Sequence, residues 1–170
     1  MIWFTSDLHL GHANIIKYCN RPFPDVHFMD KFLIDNWNEL VCSEDTVYCL
    51  GDFSFMADKY VERLNGHIVL IKGNHDKNRY DSLFKEVHLN YSLEINNIKF
   101  YLTHMPIEKD RLYKKGILPD FNALNNYDYI LSGHVHELWK TKGKHINVGV
   151  DVRDFKPISI NQILELIQGT

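Results

Sequence analysis

"IKGNHDKNR", residues 71–79, decides how the chain reads. An apolar run ends in Gly73, Asn74, His75 and Asp76, which form turns well and strands poorly. A turn has use for glycine or asparagine. It has none for an imidazole beside a carboxylate, so this corner carries a chemical signal as well as a conformational one.

Working back toward the N-terminus, His67–Ile71 reads as a strand, preceded by strands over Met1–Thr5 and Thr46–Leu50. Between them the spacing predicts helices over Gly11–Tyr18, His27–Val41 and Met56–Leu64. The second carries Phe28, Phe32, Leu33, Trp37 and Leu40 at helical intervals, with polar residues on the opposite face. Asn20, Pro22 and Pro24 break the first helix, and Asn65-Gly66 ends the third. This alternation of strand and helix argues for parallel βαβ units.

Toward the C-terminus the pattern changes. Strand-like runs over Val87–Ile95 and Ile98–Thr103 flank Asn96-Asn97, a hairpin turn. Further strands are predicted over Tyr127–Leu131 and His145–Val150, and a closing helix over Ile160–Ile167. Two packed sheets with helices outside accommodate both halves.

The residues after each predicted strand share a chemistry. The first strand is followed by Asp7 and His9, the second by Gly51-Asp52, the third by Gly73-Asn74-His75-Asp76. His104 follows the strand ending at Thr103, and Gly133-His134-Val135-His136 follows the one near Leu131. Open α/β sheets bind ligands beyond the carboxyl ends of their strands. Imidazole, carboxylate and amide oxygen suit Mn²⁺, Fe, Zn²⁺, Ni²⁺ or Co²⁺. These donors outnumber the roughly four that a tetrahedral ion uses, so they suggest two ions with a bridging carboxylate. Alternate strand residues point to opposite faces, so His134 and His136 serve neighbouring ions only from a loop.

Bulk composition narrows the classes. The 170 residues suit one domain, and 45% hydrophobic against 24% charged residues suits a real core. A net charge of −3 creates no whole-molecule field for nucleic acid. Cys19, Cys42 and Cys49 lack Cys-x-x-Cys spacing and read as free thiols of a reducing compartment. The N-terminus has no signal-peptide pattern, and no segment reaches the roughly 20 apolar residues of a membrane span. The expected location is the cytoplasm.

The ordered set Asp7-x-His9, Gly51-Asp52, Gly73-Asn74-His75-Asp76, His104 and Gly133-His134-x-His136 resembles the calcineurin-like metallophosphoesterase superfamily. The opening "WFTSDLHLGHANIIKYCNRPF" and the late "NVGVD" resemble its small bacterial and phage phosphoesterases. The resemblance implies a four-layer α/β/β/α sandwich of two mixed sheets flanked by helices, as a single domain over 1–170 without a cap. It implies that Asp7, His9, Asp52 and His136 hold one metal, and Asp52, Asn74, His104 and His134 the second. Mn²⁺ is the favoured ion for activity. His75 would be catalytic, beside the leaving-group oxygen. Asp76 would either orient that imidazole or cap a helix.

The implied reaction is hydrolysis of a phosphodiester or phosphomonoester, nucleotide-related or not, by a metal-activated hydroxide. A nucleotide pyrophosphohydrolase and a non-catalytic scaffold are the alternatives. The sequence after Gly51-Asp52 is Phe53-Ser54-Phe55, without the Asp or Arg that protein phosphatases use there, which weakens that assignment. His12 and Asn14 either line the pocket or begin a helix. Arg21 either grips phosphate or packs a corner. Lys109, Arg111, Lys114, Lys115 and Tyr113 lie in a basic loop over 105–120 that either overhangs the site or is only solvated. The expected partner is a phosphorylated small molecule or nucleotide. Nucleic acid is not indicated, a membrane is not expected, and the oligomeric state is not legible.

Overall fold

The computed structural model describes residues 1–107 and 120–169. The basic-loop expectation falls mostly on residues outside this range. In chain order the elements begin with β1 (Ile2–Thr5), α1 (Ala13–Tyr18), α2 (Val26–Leu40), β2 (Thr46–Cys49), β3 (His67–Ile71) and β4 (Glu86–His88). They continue with β5 (Asn90–Ile95), β6 (Ile98–Thr103), α3 (Ala123–Asn126), β7 (Tyr129–Ser132), β8 (Thr141–Lys142) and β9 (His145–Asn147). β10 (Ile158–Ser159) and α4 (Ile160–Gln168) follow.

The strands form two five-stranded sheets, ordered β10-β1-β2-β3-β4 and β5-β6-β7-β9-β8. β1 to β4 are mutually parallel, with β10 antiparallel at the edge. In the second sheet β6, β7 and β9 are parallel, with β5 and β8 antiparallel. Both sheets are therefore mixed, as expected.

Side-chain alternation assigns the layers. Val47, Cys49, Ile68 and Leu70 pack outward against Met29, Leu33 and Trp37 of α2. Their neighbours Tyr48, Leu50, Val69 and Ile71 face inward to meet Phe100, Leu102, Leu131 and Ile146 of the second sheet. On its far side Tyr101 and Ile130 pack against Ala123 of α3. The order is α/β/β/α. α2 begins where the Asp25 carboxylate accepts from the Phe28 amide at 2.9 Å, and α4 begins with a Ser159–Gln162 capping box.

The Asn96-Asn97 hairpin forms as read, with φ of 53° and 62° and Ile95 paired to Ile98. Other boundaries differ. The continuous strand expected over Val87–Ile95 divides at exposed Leu89: β4 pairs with β3, while β5 pairs with β6 in the other sheet. Instead of a helix over Met56–Leu64 there are two 3-10 turns, Ala57–Lys59 and Val61–Arg63. Tyr60, between them, is held by its hydroxyl donating to Asp30 at 2.8 Å. The run predicted as a strand to Val150 stops at Asn147 and turns through Val150–Val152. The strand expected from Tyr127 begins at Tyr129, because Tyr127 closes α3. The three cysteines are free thiols, and among the described residues no helix is long and apolar enough to cross a membrane.

Candidate metal centre

Six parallel strands, β1, β2, β3, β6, β7 and β9, end at one edge of the sandwich, and their following loops interlock. The Asp7 amide donates to Gly51 O at 3.0 Å, the Gly133 amide to His104 O at 3.0 Å, and the Val150 amide to Ser6 O at 3.1 Å. A parallel bridge between Ser6 and Gly149 ties the two sheets together there. The approach is too close for side chains at several glycines. A Cβ on Gly133 would lie 2.0 Å from Ser6 Oγ, and one on Gly51 2.5 Å from the Gly73 nitrogen.

The backbone at this edge is unusual. Asp7, His9, Asp52, His134 and His136 all have positive φ, between 46° and 68°. Non-glycine residues rarely adopt this region, and such strain gathers at functional sites. It takes His134 and His136 off the alternating strand pattern, so both rings face one centre.

The predicted ligands meet in two groups. Donor atoms of Asp7, His9 and His136 lie within 4.8 Å of one another, as do those of Asp52, His104 and His134. A single atom, Asp52 Oδ2, stands between them, 3.4 Å from His9 Nε2 and 3.4 Å from His104 Nε2. Asn74 Oδ1 is 3.1 Å from His104 Nε2, and His134 Nδ1 is 3.2 Å from the same nitrogen. Ligands bound about 2.1 Å from one ion stand about 3.0–3.4 Å apart at octahedral or tetrahedral angles. The buried Nε2 of His9 has no hydrogen-bond partner. A polar atom buried without a partner is costly, and a cation would satisfy it. The donor set therefore fits divalent ions.

Electrostatics point the same way. Burial pushes the Asp7 carboxyl up and the His9 imidazole down to about 3. Burial also opposes the Asp52 carboxylate, but the neighbouring His104 and His9 override it and hold the group below the carboxylate range. Burial disfavours the His104 imidazolium, yet Asp52 raises it to about 9. Burial likewise opposes protonated His136, but hydrogen bonds to Asp151 and Cys19 raise it to about 10. Positive charge is therefore welcome at His104 and His136, beside their carboxylates, while burial opposes it at His9.

Three of the predicted ligands are anchored from behind. The Asp7 carboxylate accepts from the His134 amide at 2.9 Å and 3.1 Å. His104 donates Nδ1–H to Leu50 O at 2.7 Å, which turns Nε2 inward. His136 donates Nδ1–H to Asp151 Oδ2 at 2.8 Å. Asp151 was not singled out from sequence. The available signal was its position in Asn147-Val148-Gly149-Val150-Asp151, a strand end followed by glycine and aspartate like the others.

The remaining predicted residues divide. His75 is exposed, with a side-chain exposure of 43% and Nε2 4.0 Å from Asp52 Oδ2, outside bonding range. Asp76 takes neither of its two expected roles. Its carboxylate accepts backbone N–H bonds from Asp52 (2.9 Å), Phe53 (3.0 Å) and Gly73 (2.8 Å), fastening two ligand loops together. Arg21 packs a corner and does not face a substrate. Its fully buried guanidinium donates to both Asp151 oxygens at 2.7 Å and 2.9 Å, to Asp7 O at 2.6 Å and to Leu8 O at 3.0 Å. His12 Nδ1 lies 3.5 Å from His9 Nδ1, on the ring side opposite Nε2, so the structure brings it to the site's edge. Asn14 is exposed in the first turn of α1.

A sequence model of the calcineurin-like phosphoesterase superfamily domain matches residues 2–154. An uncharacterized protein of Methanocaldococcus jannaschii is 41% identical over 180 aligned positions, covering 98% of this chain and 91% of that protein. The Gene 66 protein of Mycobacterium phage L5 is 38% identical over 81 positions, 44% of this chain and 39% of its own. Among solved structures, a protein of unknown function from Aquifex aeolicus superposes with a TM-score of 0.75 at 28% identity, covering 98% of each chain.

Proposed function

The chain belongs to the calcineurin-like phosphoesterase superfamily, and from that premise we propose that it hydrolyses a phosphate ester at a centre of two divalent ions. Asp7, His9, Asp52 and His136 would hold one ion, and Asp52, Asn74, His104 and His134 the other. Ions bound there supply Lewis acidity toward phosphoryl oxygens and a water of lowered pKa.

The observation that carries this reading is the position of Asp52 Oδ2, 3.4 Å from a ligand nitrogen of each group. One carboxylate oxygen lies near both groups there, where a bridging ligand would have to stand. The protein's own side chains then do the rest. His75 is the exposed imidazole beside the ligands, and it holds a proton for the departing alkoxide. Its amide donates to Asp52 Oδ1 at 3.0 Å, so the backbone that carries this imidazole also fixes the bridging carboxylate. Asp76 keeps the Asp52 and Gly73 loops in register, and Asp151 keeps the His136 ring aimed. A scaffold keeping only the fold would need neither the strained ligand loops nor a free imidazole beside them.

The substrate is a phosphodiester or phosphomonoester. The Mn²⁺-loaded protein should hydrolyse bis-p-nitrophenyl phosphate or p-nitrophenyl phosphate, lose activity in EDTA and regain it on adding Mn²⁺. A metal-replete protein inert toward esters and anhydrides alike would refute the reading.

A further inference from the structure

Two phenylalanines follow Asp52, and the structure gives them different surroundings. Phe53 is fully buried and meets Phe84 edge-on, with ring centroids 5.3 Å apart. Phe55 is only half-buried and belongs to none of the three apolar clusters. Its ring contacts are with site residues instead. The centroid lies 5.3 Å from that of His75 at 87° and 4.8 Å from that of His12 at 68°. His75 and His12 in turn flank the ligand His9, at 5.5 Å and 5.4 Å. Phe55 therefore continues the wall that begins at the metal ligands, on the side of the leaving-group histidine.

The loop presenting this ring is tied down by hydrogen bonds. The Leu10 amide donates to Phe53 O at 3.0 Å, Ser54 Oγ donates to Leu10 O at 2.8 Å, and the Met56 amide donates to Ser54 Oγ at 3.0 Å. Ligand sites set aromatic walls beside a few placed polar groups, and Phe55 supplies such a wall next to the predicted ligands. Beside it lies a cation. Lys77 Nζ is 5.6 Å from the Phe55 centroid, and Lys77 is exposed and pairs with no described acidic residue.

We propose that Phe55 and Lys77 form the leaving-group subsite, Phe55 docking an aromatic ring and Lys77 meeting a further negative charge on the same group. The substrate class is then a phosphate ester whose leaving group carries a base or aryl ring, with nucleotides bearing an additional phosphate preferred over aliphatic esters. This rests on the phosphoesterase reading and specifies which esters are taken.

The test compares wild type, Phe55→Ala, Phe55→Trp and Lys77→Ala in two assays. In the first, kcat/KM is measured with Mn²⁺ for thymidine 5′-monophosphate p-nitrophenyl ester and for the aliphatic diester glycerophosphocholine. The ratio of the two should fall roughly tenfold in Phe55→Ala, through KM, and recover in Phe55→Trp, since ring stacking is sequence-tolerant. In the second, calorimetry measures binding of adenosine 5′-monophosphate, adenosine 5′-diphosphate and ribose 5-phosphate. Wild type should favour AMP over ribose 5-phosphate, Phe55→Ala should lose that preference, and Lys77→Ala should lose the preference for ADP over AMP. An unchanged ratio in Phe55→Ala, or a wild type that binds AMP and ribose 5-phosphate equally, overturns the subsite. Wild-type protein that hydrolyses no ester overturns the phosphoesterase reading instead, and the binding assay still decides the subsite.

Discussion

His136 donates its Nδ1 proton to the carboxylate of Asp151 at 2.8 Å, and this bond aims the opposite ring nitrogen at Asp7 and His9. Carboxylates placed behind metal-binding histidines fix the ring and raise its basicity. Asp151→Ala should weaken metal binding by about 10–100-fold, most at one of two equivalents, and should also lower stability because it strands the buried Arg21. Metal titration followed by elemental analysis checks this. Equal weakening at both positions would show a general disturbance of the fold.

Arg21 and Asp151 form a buried ion pair with side-chain exposures of 0% and 3%. Removing one partner strands the other charge in the interior. Arg21→Ala should destabilise the protein by about 3–5 kcal/mol, read by denaturant unfolding. It also frees the carbonyls of Asp7 and Leu8, so metal content should fall with stability. A stability change within experimental error would show that the pair contributes little.

His75 and Asp76 are adjacent in sequence but separable by experiment. His75→Ala should cut turnover by about 10²–10⁴-fold and leave metal content near normal. Asp76→Ala leaves three backbone N–H groups without their acceptor, so it should lower both stability and metal content. If His75→Ala stripped the metals, its assignment beside the leaving group would be wrong.

The metal-free protein should have an inverted pH profile. His104 and His136 are raised to about 9 and about 10, against an ordinary value of about 6.5. Each therefore stabilises the metal-free fold fully below pH ~6.5, and the contribution is lost as pH rises through the folded values. His9, lowered to about 3, acts oppositely and weighs against the fold below its ordinary range. The melting temperature of the metal-free protein should fall between pH 7 and pH 10, and metal loading should abolish that fall. Loading at pH 7 should release about two protons, measured by calorimetry in buffers of different ionisation enthalpy. Loading without proton release would contradict the ligand assignment.

What sequence reveals here follows from physical range. The candidate metal loops were legible as an ordered set of donor side chains at successive strand ends, and most clearly where a turn signal carries a donor that the turn does not need. Gly73-Asn74-His75-Asp76 announces itself this way. The strand–helix alternation of the N-terminal half was legible too, since the period of each run depends only on neighbouring residues. Alternation says nothing about pairing partners, so the division at Leu89, where one apparent strand joins two sheets, was hidden. β8 and β10 are too short to show a period. Asp76 was misread and Arg21 was left open between two roles because their partners are backbone atoms or residues far along the chain: Arg21 meets a carboxylate 130 positions away. Asp151 lay in a recognisable strand-end pattern, but its role depends on a ring it meets only after folding.

The central claim is that Asp52 stands between two cations. The direct measurement is an anomalous difference map from crystals of the Mn²⁺-loaded protein. Two peaks about 3.5–4 Å apart, flanking Asp52 Oδ2, with His9 on one side and His104 on the other, are expected. A single peak, or peaks that Asp52 does not touch, would contradict the account.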